Sequence, residues 1–196
     1  WEDLPITAPP NGQFDGDDVR HTYTYNDAGF VLTHIEENAS SGVIRITHYT
    51  YNANNQRLSY WVDHNANDIF DGIERRYFTT YNERGDRVTY VTEGADNVVI
   101  SREHWTYDAD GRELSYWKDE NGANGVFDGE ETRTDSTYDE AGNLLTEISE
   151  SADVGIFKTI TYTYDAANRL TSYFRDGCKY GASSDCWLTA NGIGII

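Results

Sequence analysis

The stretch "VIRITHYTYNANNQRLSYWVD", Val43 to Asp63, decides the fold. Its first half alternates with period two, so one face is apolar and aromatic and the other polar, as in a half-buried β-strand. Asn52 and Asn55 then supply a turn, because Asn tolerates positive φ and its side chain hydrogen-bonds the local backbone. Leu58 opens the return run "RLSYWVD". The stretch is a β-hairpin.

The hairpin repeats. Tyr-(Asn/Asp)-x-x-(Gly/Asn) occurs as "YNDAG" at Tyr25, "YNANN" at Tyr51, "YNERG" at Tyr81, "YDADG" at Tyr107, "YDEAG" at Tyr138 and "YDAAN" at Tyr164. A Leu or Val restarts the chain after each: Leu32, Leu58, Val88, Leu114, Leu145 and Leu170. Self-similarity of this kind marks a repeat architecture. The Tyr anchors are spaced by 26, 30, 26, 31 and 26 residues, so the unit is a pair of hairpins 56 or 57 residues long. Short loops, "EENASSG", "EGADN" and "ESADVG", carry Glu37, Glu93 and Glu150 in register. Long loops alternate with them. The expected fold is all-β: an elongated antiparallel β-meander of about six hairpins and twelve strands, with its long loops stabilised by calcium.

The hairpins resemble the YD repeats of the RHS and teneurin-like families, most closely in "YDAANRLTSY" from Tyr164 and "YDADGREL" from Tyr107. The resemblance spans Tyr23 to Arg175. It implies a continuous β-meander and places no enzymatic site within the repeats. Large toxins of this family wind the sheet into a hollow shell, which six repeats are too few to close. One expectation is therefore a fragment of an RHS-type toxin shell.

The first long loop, "DHNANDIFDGIE", begins at Asp63. Taking Asp63 as position 1 puts Asn65 at 3, Asn67 at 5, Ile69 at 7, Asp71 at 9 and Glu74 at 12. That is the ligand order of a twelve-residue calcium loop, with a backbone carbonyl from position 7 and a bidentate carboxylate at 12. Asp68 stands where such loops carry Gly. The second, "DENGANGVFDGEE", holds one extra residue, and Asp119, Asn121, Asn124, Val126, Asp128 and Glu131 take the same roles, with Gly125 at the tight turn. The ligand set is all oxygen, which suits calcium and disfavours zinc and copper. The flanks alternate with period two, so these loops join hairpins rather than helices.

Both ends of the chain carry partial versions. "NGQFDGDD" aligns Asn11, Asp15 and Asp18 with positions 5, 9 and 12, since Phe14, Phe70 and Phe127 each stand eleven residues before a Tyr anchor. At the other end "YFRD", ending at Asp176, matches "YWVD" and "YWKD". Seven residues separate Cys178 from Cys186 there. A disulfide between them is expected in an oxidising compartment. The organisation reads as 1–18, a segment with a partial calcium loop; 19–175, the β-array; and 176–196, a disulfide loop with an apolar tail.

Composition bounds the function. With 15 Lys+Arg against 34 Asp+Glu the net charge is -19, which repels phosphate backbones and anionic headgroups and so excludes nucleic acid as a partner. An aromatic fraction of 14% separates the chain from disordered acidic sequences. No apolar run approaches the roughly 18 residues of a membrane span. The chain starts at Trp1 and has no Met, which reads as a mature secreted or cell-surface protein after signal removal.

No nucleophile, phosphate-loop or zinc-protease motif is present, and the chain is not expected to be an enzyme. His48 and His104 precede their Tyr anchors by three residues and read as repeat-face residues. Tyr49, Trp105 and Tyr162 match across repeats, as do Trp61, Trp117 and Phe174, which reads as a packing ladder of cross-strand aromatic pairs. The expected function is a calcium-stabilised extracellular structural or adhesive repeat protein, extending to a subunit of a head-to-tail surface fibre that binds further copies of itself. The alternative is a carbohydrate-binding module that stacks polysaccharide on Trp61, Trp105 and Trp117.

Overall fold

The computed structural model describes residues 13–120, 124–129, 131–177 and 193–194. The described chain is antiparallel β-structure, in agreement with the period-two reading. Hairpins are formed by β1 (Val19–Tyr25) and β2 (Val31–Asn38), β3 (Gly42–Tyr51) and β4 (Arg57–Asp63), and β5 (Arg75–Tyr81) and β6 (Arg87–Gly94). Three more follow: β7 (Val99–Tyr107) with β8 (Glu113–Glu120), β9 (Thr132–Tyr138) with β10 (Leu144–Ser151), and β11 (Gly155–Tyr164) with β12 (Leu170–Gly177). A two-residue strand, β13 (Ile193–Gly194), comes last. The chain divides into two units at Arg76/Tyr77, inside β5. In the first, β1 to β4 pair in chain order. In the second, β6 to β13 do the same.

Each Tyr-Asx turn is built alike. The Asx side-chain oxygen accepts the N–H two and four residues on: Asn26 from Ala28 and Phe30, Asn52 from Asn54 and Gln56, Asn82 from Arg84 and Asp86, Asp108 from Asp110 and Arg112, Asp165 from Ala167 and Arg169. Asp139 accepts from Asn143 in the same way. The fifth motif residue must take positive φ to close the turn. It does so as Gly at 29, 85, 111 and 142 and as Asn at Asn55 and Asn168. The register slips by one residue just inside the turn, the mark of a β-bulge.

The Tyr of the motif has its own task. Its hydroxyl donates to the backbone carbonyl that opens the preceding hairpin's return strand: Tyr51 to Val31 (2.9 Å), Tyr107 to Arg87 (2.8 Å), Tyr138 to Glu113 (2.9 Å) and Tyr164 to Leu144 (3.0 Å). A Phe could not do this, which accounts for Tyr at those positions. Hydroxyl pairs beside the turns tie the two strands of five of the hairpins: Thr24 with Thr33, Thr50 with Ser59, Thr80 with Thr89, Thr137 with Thr146 and Thr163 with Ser172.

Little apolar surface is fully buried. Trp105, 8% exposed, is the one buried hydrophobic side chain among the described residues. The deepest side chains are polar: Asp63 at 0%, Asp119 and Ser151 at 1%, and Glu74 at 3%. Cross-strand aromatic pairs form as read from the sequence, Tyr49 with Tyr60, Trp105 with Tyr116 and Tyr162 with Tyr173. The described residues contain no helix, and none long and apolar enough to cross a membrane.

Two expectations follow. Tyr107→Phe removes one interhairpin hydrogen bond and lowers stability by about 1 kcal/mol, read from urea unfolding. Hydrogen bonds from Asn82 and then Arg84 hold Asp86 below the ordinary carboxylate range, those from Asn143 do so for Asp139, and those from Arg169 for Asp165. Their contribution is complete above the unfolded value, about pH 4, and is lost as pH falls through the lower folded values. An acid titration of Asn variants at these positions, followed by circular dichroism, is flatter than that of the parent.

Candidate metal-binding loops

Asp63 ends β4 and Asp119 lies one residue before the end of β8, where the chain leaves the sheet for a long loop. In the first loop Asp63 Oδ1 accepts the Asn65 N–H (3.1 Å) and Oδ2 accepts the Asp68 N–H (2.7 Å). Glu74 closes the far end. Its Oε1 accepts the His64 N–H (3.0 Å), and its Oε2 accepts the Asp71 N–H (3.0 Å) while its own N–H donates to the Asp71 carbonyl (3.2 Å). Asn65 and Asn67 each donate from Nδ2 to the Asp71 carboxylate (3.2 and 3.0 Å), and Asn67 Oδ1 accepts the Ile69 N–H (2.8 Å). The loop thus gathers Asn65, Asn67 and Asp71 on one side, with Asp63 and Glu74 at its base.

The second loop repeats these bonds. Asp119 Oδ2 accepts the Gly125 N–H (2.6 Å), Asn124 Nδ2 donates to Asp128 (3.0 Å), and Asn124 Oδ1 accepts the Val126 N–H (2.7 Å). Glu131 Oε2 accepts the Asp128 N–H (3.1 Å). Burial raises the Glu131 carboxyl above its ordinary value, and the nearby Asp119 and Asp128 carboxylates push the same way. At the N-terminal partial loop the last step recurs, with Asp18 Oδ2 accepting the Asp15 N–H (3.2 Å) and the Asp18 N–H donating to the Asp15 carbonyl (3.1 Å). Asn11, Asn121, Cys178 and Cys186 lie outside the described residues.

Position 6 differs between the loops for a local reason. Both residues need the left-handed conformation, Asp68 at φ 60 and Gly125 at φ 81. In the second loop Gly125 takes φ 81 without strain, and a Cβ there would stand 2.7 Å from Arg102 Nη1, so the guanidinium would have to give way to a side chain. In the first, the Asp68 carboxylate instead lies 3.4 Å from His48 Nε2.

Among the described residues the buried carboxylates of Asp63, Glu74 and Asp119, and the half-buried one of Glu131, have no cationic side chain in ion-pair contact. Among the described residues none of the ion pairs involves Asp63, Glu74, Asp119 or Glu131. Arg102 stands opposite Asp119 across β7 and β8 without pairing to it. A buried, unpaired carboxylate is costly, and the backbone N–H donors offset only part of that. The donor set therefore fits a hard cation in charge and in atom type. Among the described residues no three His, Cys, Asp or Glu side chains converge as a metal cluster, so a bound ion would depend on Asn and carbonyl oxygens as well.

A packing stack, absent from the sequence reading, supports each loop. Phe70 sets its edge on Trp61 (5.6 Å, 73°), and Phe127 does so on Trp117 (5.8 Å, 73°). Arg76 covers Phe70 and Arg133 covers Phe127, as Arg20 covers Phe14. The shared six-residue spacing of Phe and Arg was the available signal. His48 stacks flat on Trp61 (4.3 Å, 8°) and His104 on Trp117 (4.0 Å, 3°), so both are packing residues of the repeat face. Arg87 lies over Trp105 at 4.2 Å. All three Trp rings suggested as sugar platforms thus have protein partners.

No family model and no curated protein matches the chain. Among solved structures, the chain is similar to the TcdB2–TccC3–Cdc42 crystal structure at 17% identity and a TM-score of 0.44, over 83% of this chain and 9% of that one. It is similar to the Photorhabdus luminescens Tc holotoxin pore at 17% and 0.41, over 80% and 9%. It is also similar to a porin-like protein from Bacteroides uniformis at 16% and 0.31, over 78% and 79%. The chain spans about a tenth of the length of the toxin chains it matches.

Trp117→Ala is expected to cost about 2–3 kcal/mol, because Phe127 and His104 lose the ring they pack on. Chemical denaturation measures this. An unchanged midpoint would mean that Trp117 is not a packing residue.

Proposed function

We propose that the chain is a calcium-stabilised structural β-repeat segment that works outside the cell and has no catalytic role. The observation that carries this reading is the burial of Asp63, Glu74 and Asp119 in two equivalent loops without a cationic side chain in contact. A cation supplies the missing charge, and calcium suits a set of carboxylate, amide and carbonyl oxygens. In the first loop the ligands are Asp63, Asn65, Asn67, Asp71 and Glu74 with the Ile69 carbonyl. In the second they are Asp119, Asn121, Asn124, Asp128 and Glu131 with the Val126 carbonyl. Binding stabilises the folded form alone, because the unfolded chain scatters these ligands. The bound ion orders the long loop that leaves the sheet at each aspartate.

A second reading, a wall segment of an RHS-type toxin shell, rests on the six Tyr-Asx turns and the Tyr hydroxyl bonds that link successive hairpins. Both readings keep the calcium sites and differ in what flanks the array. The carbohydrate-binding alternative is less favoured, since the aromatic rings are engaged with one another.

Calcium at about 100-fold over its Kd is expected to raise Tm by about 5–10 °C per site, beyond sodium at matched ionic strength. Asp63→Asn with Asp119→Asn removes most of that gain. Equal shifts in sodium and calcium, by scanning calorimetry, would overturn the reading.

A further inference from the structure

The first and twelfth strands carry the two halves of a junction that also occurs inside the array. β1 and the residues before it copy β9 and its approach: Phe14, Asp15, Asp18 and Arg20 stand where Phe127, Asp128, Glu131 and Arg133 stand two double repeats on. β12 is a copy of β8, with Ser172, Tyr173, Phe174 and Asp176 in the places of Ser115, Tyr116, Trp117 and Asp119. Inside the chain β8 pairs with β9 through Ser115↔Asp135, Tyr116↔Thr134 and Trp117↔Arg133. Among the described residues the corresponding edge of β1 carries no further strand, and that of β12 carries β13 alone. All of β1 is exposed, as are Phe14, Tyr173 and Phe174. Among the described residues β1 pairs with β2 and with no other strand.

The outer edge of β12 is occupied by the chain's own tail. β13 pairs Gly194 with Tyr173 and Ile193 with Phe174. Those are the two residues whose counterparts, Tyr116 and Trp117, hold Thr134 and Arg133 of β9. Among the described residues Ile193 and Gly194 therefore sit in the slot that a β9-type strand fills elsewhere.

We propose that β1 of a second copy pairs with β12 in the β8–β9 register, displacing β13, so that copies join head to tail. The interface continues an interaction the chain already makes within itself, which is why the occupant is a second copy rather than an unrelated strand. The register places Ser172 against Thr22 of the second copy, Tyr173 against His21 and Phe174 against Arg20. Edge strands recruit partners through such unpaired backbone groups, and a junction between unlike ends does not close on itself. Resting on the calcium reading, the junction also assembles a shared loop: Asp176 of one copy supplies position 1, and Asp15 and Asp18 of the next supply positions 9 and 12. The β13 cap is the restraint on this assembly.

The test uses the full chain carrying Ile193→Pro and Gly194→Pro, which removes the β13 donors. In sedimentation velocity with calcium, this variant is expected to raise the mean mass at least about twofold over the monomer, with less association in EDTA. Single prolines are then placed at His21 and at Thr22 in that background. N–H groups alternate along an antiparallel strand, so one of the two points away from β2 and tolerates proline. That variant keeps its circular dichroism spectrum and returns to monomer. A capless chain that stays monomeric while folded overturns the proposal, as does association unaffected by the tolerated proline. Association that persists without a calcium-specific rise in Tm leaves strand pairing standing and removes only the shared metal loop.

Discussion

Burial of Asp63 and Asp119 near the ends of β4 and β8 is the interaction on which the rest of the structure depends. These carboxylates are deeper than any described hydrophobic side chain. Each turns the chain out of the sheet and anchors the loop that follows through backbone N–H donors. The long loop then delivers Phe70 or Phe127 onto the Trp two residues before the aspartate. Carboxylate, loop and aromatic stack form one unit, made twice.

Most of the remaining cohesion is local and repetitive. A Tyr-Asx turn needs a side-chain acceptor, a residue at positive φ and a phenol that reaches the previous hairpin. The first two are met within the motif itself and the third by the hairpin just before it, so each hairpin depends on its nearest neighbour. Apolar burial is thin, and ion pairs such as Arg20–Glu37 and Arg45–Glu36, partly exposed, add little individually. Ordering of the long acidic loops is consequently the step most open to control by an ion.

The hairpins, their turns and the two-hairpin unit were legible in the sequence because they follow from period-two alternation and turn chemistry. In both long loops the closing Glu accepts the N–H of the Asp three residues before it. Other features depend on geometry that spacing does not encode. The Asn65 and Asn67 amides face Asp71 with their nitrogens. Asp68 reaches the left-handed region that a calcium loop gives to Gly. The Arg102 guanidinium lies against Gly125 from another strand. The edge pairing of Ile193–Gly194 with β12 had no periodic signal in so short an apolar tail.

The central claim is that the two long loops are equivalent calcium sites. Isothermal titration of the metal-free chain with calcium tests it most directly. The account predicts two sites per chain, falling to one with either Asp63→Asn or Asp119→Asn and to none with both. Absence of binding heat across temperatures, or a stoichiometry that neither substitution changes, would contradict it.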